Sequence, residues 1–154
     1  MILIDTNALV LYITGLIDIR LVGKYKRTSI YDECDFEELS SIIGDTSKLV
    51  VLPNVWTEVD NLLNRFNGNY KYIYIQTLIQ LIKESSEVYL KSVNITDDDF
   101  LFTLGITDTL LLRHAPNCNL LITDDSELSD FAIAHSINVF DLKKRKNDRL
   151  KGII

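Results

Sequence analysis

The sequence predicts an α/β domain with three layers, in which helices cover both faces of a mostly parallel sheet of about five strands. Short runs of Ile, Leu and Val recur along the chain, and such runs are typical of strands that are buried on both faces. The stretches between these runs are long, and several repeat apolar residues at helical spacing. Connections of this length join parallel strands through right-handed crossovers.

Five apolar runs are the predicted strands. They are ILID (2–5), LVVL (49–52), VYLKSV (88–93), LLIT (120–123) and NVFDL (138–142). In a sheet with helices on both faces, continuous apolar runs are expected in place of strict alternation.

Two helices are predicted between the second and third strands. In NVWTEVDNLLNRF (54–66), apolar residues repeat at three and four positions, and Asn54 is the expected N-cap. In YKYIYIQTLIQLIKESS (70–86), one face is expected to carry Ile75, Leu78, Ile79 and Ile82.

Two further helices are predicted later in the chain. In ITDTLLLRHA (106–115), Thr107 is the expected cap, and Pro116 ends the helix. A last amphipathic helix, SELSDFAIAHS (126–136), follows the fourth strand.

The composition is that of one globular domain, which we place at residues 1–154. The chain has 154 residues, of which 47% are hydrophobic and 25% charged, and this excludes a disordered protein. Cys34 and Cys118 have neither metal-site spacing nor the density of a secreted scaffold, so free thiols in a reducing compartment are expected. No stretch has the pattern of an export signal or a membrane span, which favours a cytoplasmic protein.

Charge is distributed unevenly along the chain. The formal net charge is −6, but residues 142–152 carry six basic groups and one acid, a net +5, so the rest of the chain carries −11. Two interpretations remain open for this basic C-terminal segment. It is either a solvated end or a surface for nucleic acid or an acidic partner.

Carboxylates recur at the ends of predicted elements and on the first turns of helices. They are Asp5, Glu58, Asp108, Asp124 and Asp125. In open α/β sheets, ligands bind beyond the carboxyl ends of the strands, where Asp5 and the Asp124–Asp125 pair are expected. Grouped, partly buried carboxylates repel one another, and a hard cation such as Mg²⁺ or Mn²⁺ removes this repulsion because it prefers oxygen ligands.

Each of these acids also has an ordinary structural interpretation. Asp5 is a favourable N-cap for the helix that follows it. Glu58 and Asp108 are favourable in the first turn of a helix because of the helix dipole. Asp124, Asp125 and the serine that follows them are typical of a turn. Only the ordered combination favours a functional site.

In that combination the chain resembles the PIN-domain family of metal-dependent nucleases, which includes the toxins of many toxin–antitoxin pairs. The resemblance covers residues 1–142. Its four motifs are the first strand running into Asp-Thr-Asn, Thr-Glu followed three residues on by Asn61-Leu62, Thr-Asp opening a late helix, and Leu-Ile-Thr-Asp-Asp closing a strand. The segment from about 14 to 48 is longer than a minimal PIN domain requires, and an extended helical region is expected there.

The resemblance implies an acidic site made of Asp5, Glu58, Asp108 and Asp125. These four acids are also the implied metal ligands, and Asp124 is an additional candidate ligand. Asn7 and Thr123 match polar positions that support the acidic cluster. The implied activity is cleavage of RNA, preferentially single-stranded, with Mg²⁺ or Mn²⁺ as cofactor. An antitoxin protein and a homodimer are the implied partners.

Basic groups must hold the phosphate backbone of an RNA substrate, because carboxylates alone repel it. The candidates in the C-terminal segment are Lys143, Lys144, Arg145, Lys146 and Arg149. A second candidate patch comprises Arg20, Lys24, Lys26 and Arg27.

Two alternative functions remain open on the sequence. One is a PIN-like module without catalytic activity that binds RNA or protein. The other is a small phosphohydrolase, which the Asn at position 7 disfavours because such enzymes use a second Asp there.

Overall fold

The centre of the protein is a sheet of five short strands. The computed structural model, which describes residues 1–154, contains β1 (Ile2–Ile4), β2 (Leu49–Val51), β3 (Ser86–Glu87), β4 (Leu120–Thr123) and β5 (Val139–Asp141). All neighbouring strands are parallel, and their order across the sheet is β3-β2-β1-β4-β5.

Seven α-helices connect and cover these strands. They are α1 (Thr6–Ile17), α2 (Glu33–Ile43), α3 (Pro53–Leu63), α4 (Gly68–Glu84), α5 (Leu101–His114), α6 (Ser126–Ala134) and α7 (Leu142–Leu150). None of them combines the length and the apolar composition that a membrane span requires.

The direction of strand addition separates the helices into two layers. From β1 the chain adds β2 and then β3 on one side, whereas β4 and β5 are added on the other side. Because crossovers between parallel strands are right-handed, the two directions place their helices on opposite faces. In agreement, α2, α3 and α4 pack against α1, and α5 packs against α6. The predicted three-layer α/β/α fold is confirmed.

One apolar core fills the space between the layers. It is a single cluster of 34 buried residues, and every residue of β1 and β2 belongs to it. The strands predicted at 2–5, 49–52, 120–123 and 138–142 are confirmed to within one residue at each end.

The strand predicted at residues 88–93 is wrong. β3 comprises only Ser86–Glu87, after which Val88 donates one further hydrogen bond to the Val51 carbonyl (3.2 Å), and residues Ser92–Ile95 form a 3₁₀ turn. The neighbouring strand β2 ends at Val51 because α3 begins at Pro53, so a longer β3 would have no partner for its backbone.

One prediction about α3 is wrong, and one about α4 is only partly confirmed. Asn54 is not the N-cap of α3, because Pro53 is the first helical residue and its fixed φ favours that position. On α4, Ile75 and Leu78 pack against the core as predicted, whereas Ile79 and Ile82 are 42% and 46% exposed. The most deeply buried side chains of this helix are Tyr74 and Leu81. Tyr74 can occupy the buried face because its hydroxyl donates to Asp60 Oδ1 (2.7 Å).

The region from about 14 to 48 is largely helical. It contains the end of α1, a 3₁₀ turn at Ile19–Leu21, α2, and a second 3₁₀ turn at Thr46–Lys48. Asp32 caps α2, and Asp35 completes a capping box with it.

The basic C-terminal segment folds as α7 and pairs with the acidic start of α2. Lys146 Nζ lies 2.8 Å from carboxylate oxygens of Asp32 and Asp35, and Arg149 Nη2 lies 2.5 Å from Asp35 Oδ1. Arg145 pairs with Glu38. Three of the five C-terminal residues expected to contact RNA are therefore engaged within the chain, because α2 presents carboxylates that neutralise them.

Candidate acidic site

Four of the predicted acids line one cavity. We call it the acidic cavity; its volume is about 310 Å³. Its lining residues are Asp5, Thr6, Asn7, Glu58, Asn61, Leu62, Asp108 and Asp125. The four acids come from parts of the chain separated by about fifty, fifty and seventeen residues, so the fold itself brings them to one place.

The position of the cavity follows from the sheet. β1 and β4 are adjacent and parallel, and strand order reverses direction between them. Asp5 directly follows β1, and its backbone N–H still pairs with the Ile122 carbonyl (3.0 Å). Asp125 lies two residues after β4. The cavity therefore lies at the topological switch point, where open α/β sheets bind their ligands.

Asp5 caps a helix and also lines the acidic cavity. Its side chain is 4% exposed, and Oδ1 accepts a hydrogen bond from the Ala8 N–H (2.8 Å), which makes Asp5 the N-cap of α1. Oδ2 accepts from the Thr123 hydroxyl and from the Asp124 N–H (3.1 Å). Burial and the negative charge of Asp124 raise the pKa of Asp5 to about 7, although these hydrogen bonds oppose the rise.

Two threonine hydroxyls fix the carboxylate of Glu58. Thr6 Oγ1 donates to Oε2 (2.6 Å), and Thr107 Oγ1 donates to Oε1 (2.5 Å). The prediction that Thr107 caps a helix is wrong, because Thr107 lies within the helical segment that follows Gly105 and its hydroxyl binds Glu58 instead. Glu58 is thereby held in one orientation between α1 and α5.

A break in α5 places Asp108 beside the cavity. Gly105 has φ +76° and ψ −178°, a conformation that essentially only glycine adopts, and it divides α5 into two helical segments. Asp108 lies in the first turn of the second segment. Burial, followed by the charges of Asp125, Glu58 and Asp124, raises the pKa of Asp108 to about 7.

The two adjacent aspartates after β4 have different surroundings. Asp125 lines the cavity and caps α6, with Oδ1 accepting from the Leu128 N–H (2.8 Å). Asp124 does not line the cavity and is 5% exposed. Its Oδ1 accepts from Asn7 Nδ2 (3.0 Å) and its Oδ2 from the Tyr31 hydroxyl (3.0 Å).

The polar residues expected to support the site both contact it. Asn7 binds Asp124, as described above. Thr123 Oγ1 donates to Asp5 and accepts from the Asp125 N–H (2.9 Å), so it connects the two acids that end β1 and β4.

The donor chemistry of the cavity fits a hard divalent cation. The Asp108 carboxylate accepts no hydrogen bond within the protein, and Asp125 Oδ2 has no protein partner either, so these oxygens are free for a ligand. The raised pKa values of Asp5 and Asp108 reflect burial and repulsion between negative charges, and a cation would offset both. In this conformation, however, no group of three or more His, Cys, Asp and Glu side chains is arranged to hold a metal ion. Ligation would therefore require the carboxylates to move closer together.

A group of unpaired cations adjoins the cavity. Tyr25 connects the two: its hydroxyl donates to the backbone carbonyl of the cavity residue Leu62 (2.7 Å). The Tyr25 ring stacks on the Phe66 ring, with 4.9 Å between the centroids, and Arg65 directly precedes Phe66 in the chain. Burial raises the pKa of Tyr25, and the positive charges of Arg27 and Arg65 oppose this rise. We define Lys24, Lys26, Arg27 and Arg65 as the basic rim.

All four side chains of the basic rim are exposed and form no ion pair within the protein. By contrast, Arg20 of the predicted second patch pairs with Asp18 (2.8 Å). Lys143 and Lys144 on α7 are also free of ion pairs, as are five lysines elsewhere in the chain, Lys48, Lys71, Lys83, Lys91 and Lys151.

Sequence reasoning missed several residues that contact the site. Thr6 and Thr107 belong to the Asp-Thr-Asn and Thr-Asp motifs, but their hydrogen bonds to Glu58 depend on the relative positions of α1, α3 and α5. Tyr31 lies 93 residues from Asp124 and carried no sequence signal. Arg65 lies three residues after Leu62, and this proximity to the motif could have indicated a position near the site.

No protein-family model matches the chain, and no curated protein matches it.

Proposed function

We propose that the protein is a metal-dependent endoribonuclease that hydrolyses phosphodiester bonds in single-stranded RNA. The observation that carries the proposal is the meeting of Asp5, Glu58, Asp108 and Asp125 at one cavity, at the switch point of a parallel sheet. The resemblance of these motifs to the PIN-domain family supports the same activity.

The four acids have distinguishable roles in the proposed reaction. Asp5, Asp108 and Asp125 would hold Mg²⁺ or Mn²⁺, because their carboxylates face the cavity and two of them have free oxygens. Glu58 would orient the attacking water, since two hydroxyl groups fix its carboxylate. A bound divalent cation supplies Lewis-acid chemistry, which lowers the pKa of water and stabilises negative charge on the phosphate.

The basic rim is the proposed contact for the RNA backbone. Lys24, Lys26, Arg27 and Arg65 are unpaired, and Tyr25 connects their segment to the cavity edge at Leu62. Phosphate contacts of this kind supply sequence-independent affinity and bring the scissile bond to the acids. This proposal replaces the C-terminal segment as the main RNA contact and leaves only Lys143 and Lys144 as additional candidates.

A second candidate function is a PIN-like module without catalytic activity, which binds RNA or protein. The observation that favours it is the absence of a group of side chains arranged to hold a metal ion. Glu58 and Asp5 also have hydrogen-bond partners within the protein, so they are accommodated without a metal.

A cleavage assay with matched variants tests the proposal. Wild-type protein is incubated with single-stranded and duplex RNA, in Mn²⁺ and in EDTA, beside Asp5→Asn, Asp108→Asn and the control Asp97→Asn, whose side chain is exposed outside the cavity. We expect Mn²⁺-dependent cleavage of the single strand. Each cavity substitution should reduce it by about 100-fold or more, because several kcal/mol of metal stabilisation are lost.

The control should cleave at the wild-type rate. RNA binding without cleavage under any metal condition would contradict the nuclease and support the non-catalytic module. Cleavage that survives both cavity substitutions would contradict the proposed site.

The toxin role extends this proposal and rests on the family resemblance alone. It adds two partners, an antitoxin protein that blocks the activity and a second copy of the chain in a homodimer. Growth arrest on expression of the wild type, and not of Asp5→Asn, is the expected outcome in cells.

A further inference from the structure

Tyr31 lies in the long segment between α1 and α2, for which the sequence suggested no role. It is 4% exposed, and it directly precedes Asp32, the N-cap of α2. Its backbone N–H donates to the Thr28 carbonyl (2.8 Å), and Thr28 in turn donates to the Val22 carbonyl (2.7 Å). The tyrosine is therefore held by a folded segment and not by a free loop.

The hydroxyl of Tyr31 contacts the turn that carries two of the site residues. It donates to Asp124 Oδ2 (3.0 Å), while Asn7 donates to the other oxygen of the same carboxylate. No basic side chain forms an ion pair with Asp124. A carboxylate buried to this degree depends on such hydrogen bonds to remain in place.

The backbone of this turn is bonded directly to the cavity acids. The Asp124 N–H donates to Asp5 (3.1 Å), and the Asp125 N–H donates to Thr123, whose hydroxyl also binds Asp5. A shift of the Asp124 side chain would therefore disturb both Asp5 and Asp125. With Asp124 held in the interior, Asp125 is the aspartate that faces the cavity.

We propose that Tyr31 is a positioning residue for the metal site: its hydrogen bond holds Asp124 in the interior, and thereby keeps Asp125 and Asp5 in place to bind a divalent cation. The inference rests on the proposed function, because it assigns to the extended segment the task of supporting that same site. Residues that orient metal ligands in this way commonly change metal affinity when they are replaced.

The test compares Mn²⁺ affinity, measured by electron paramagnetic resonance of free Mn²⁺, in the full-length wild type and in variants. Tyr31→Phe removes the hydroxyl and keeps the ring, so the packing of the segment is retained. Tyr74→Phe is the matched control, since Tyr74 is also buried and donates to a carboxylate, Asp60, outside the cavity. Melting temperatures are measured for each variant.

We expect Tyr31→Phe to weaken Mn²⁺ binding about 10- to 100-fold. Tyr74→Phe should lower the melting temperature and leave Mn²⁺ affinity unchanged. In an Asp124→Ala background, Tyr31→Phe should cause no further loss, because the tyrosine acts through that carboxylate.

Two outcomes overturn the inference in distinguishable ways. Wild-type Mn²⁺ affinity in Tyr31→Phe, even with a lowered melting temperature, would show that Tyr31 only stabilises the fold, and the proposed function would be unaffected. No Mn²⁺ binding by the wild type would overturn the proposed function, and this role of Tyr31 with it.

Discussion

Asp5 shows how one side chain can serve the fold and the site together. It follows β1, caps α1 through the Ala8 N–H, and still faces the acidic cavity. This position makes ionisation of the carboxyl unfavourable, since burial and the charge of Asp124 raise the pKa of Asp5 to about 7. The fold holds a carboxylate where ionisation is unfavourable, as is typical of functional sites.

Asp108 also has a raised pKa, and the effect of this rise on the stability of the fold can be measured. Its carboxyl titrates near 3.8 in the unfolded chain and near 7 in the folded protein, so between these values the folded state binds more protons and stability falls as pH rises. Asp108→Asn removes the ionisation. Without divalent metal, we expect Asp108→Asn to raise the free energy of unfolding at pH 8 by about 1 to 2 kcal/mol. This is less than the full shift of the Asp108 pKa implies, because the side chain is partly exposed.

Urea denaturation at pH 8 and at pH 4 is the measurement for this prediction. At pH 4 most of the difference between wild type and Asp108→Asn should disappear, because the folded wild type is then protonated. An equal effect at both pH values would show that charge is not the cause. Asp97→Asn, on the exposed surface, should change stability little at either pH.

At the residue scale, the sequence could predict acids that follow strands or begin helices, because local pattern determines those positions. Asp5 and Asp125 are of this kind. The partners of these acids could not be predicted in the same way. Thr107 has the local pattern of a helix cap, but in the folded protein its hydroxyl donates to Glu58, a residue of α3 that is 49 positions away.

At the scale of elements, the break in α5 at Gly105 places Asp108 beside the cavity. Gly105→Ala would force an L side chain into a backbone conformation that essentially only glycine adopts, while no atom lies within 4 Å of the added methyl group. The cost is therefore conformational, about 1 to 3 kcal/mol. We expect lower stability and weaker Mn²⁺ binding, because relief of the strain would move Thr107 and Asp108.

Gly44→Ala is the control for this prediction. Gly44 also has positive φ (+64°), but it ends α2 and does not line the cavity. Its replacement should lower stability without changing Mn²⁺ affinity. Equal Mn²⁺ affinity in Gly105→Ala and the wild type would contradict the role of the break.

The pairing of α7 with α2 leads to a second prediction at this scale. Arg149 and Lys146 are the partners of Asp35, whose side chain is only 3% exposed. Arg149→Ala leaves that carboxylate with one partner fewer, and we expect a loss of about 1 to 3 kcal/mol in the free energy of unfolding. Chemical denaturation measures this loss.

Arg20→Ala is the matched control, because the Arg20 side chain is 74% exposed in its pair with Asp18. Exposed pairs contribute little, so a change below about 0.5 kcal/mol is expected. Equal effects of the two substitutions would mean that burial of Asp35 does not strengthen its ion pairs.

Strands were predictable from the sequence where an apolar run lies between two neighbouring strands of the sheet. β1, β2 and β4 are of this kind, and β5 was also predicted although it lies at one edge of the sheet, where it pairs with β4 over three residues. β3 lies at the other edge and is limited by the early end of β2. The buried face of α4 was only partly predicted, because Asp60 provides a partner for the hydroxyl of the buried Tyr74. The association of α7 with α2 joins segments more than a hundred residues apart, and composition alone did not indicate it.

At the scale of the whole molecule, the distribution of free charge matters more than the net charge of −6. The C-terminal cations are mostly neutralised by α2, while the basic rim is unpaired beside the cavity. The sequence indicated an acidic body with a basic end. Only the fold shows which basic groups remain available for an RNA backbone.

The basic rim therefore predicts a salt-dependent effect on RNA binding. For single strands, each phosphate contact contributes about −0.7 to the slope of log affinity against log salt concentration. Replacing Arg27 and Arg65 by Ala should weaken RNA binding and reduce the magnitude of this slope by about 1.4. Fluorescence anisotropy at several salt concentrations, with RNA and the Asp5→Asn protein to prevent cleavage, measures both effects.

The matched control replaces Lys143 and Lys144, which are the free cations of α7, by Ala. This protein should bind RNA with nearly the wild-type slope. A larger effect from the α7 pair than from Arg27 and Arg65 would move the RNA contact to the C-terminal segment.

The central claim is that the acids gathered at the switch point hold a divalent cation. A crystal of the wild-type protein soaked in Mn²⁺ tests it most directly, through the anomalous scattering of the ion. We predict an anomalous peak in the acidic cavity, within ligating distance of Asp108 and Asp125 oxygens and with Asp5 in the coordination shell. A cavity without a peak at saturating Mn²⁺, or a peak bound by other residues, would contradict the claim.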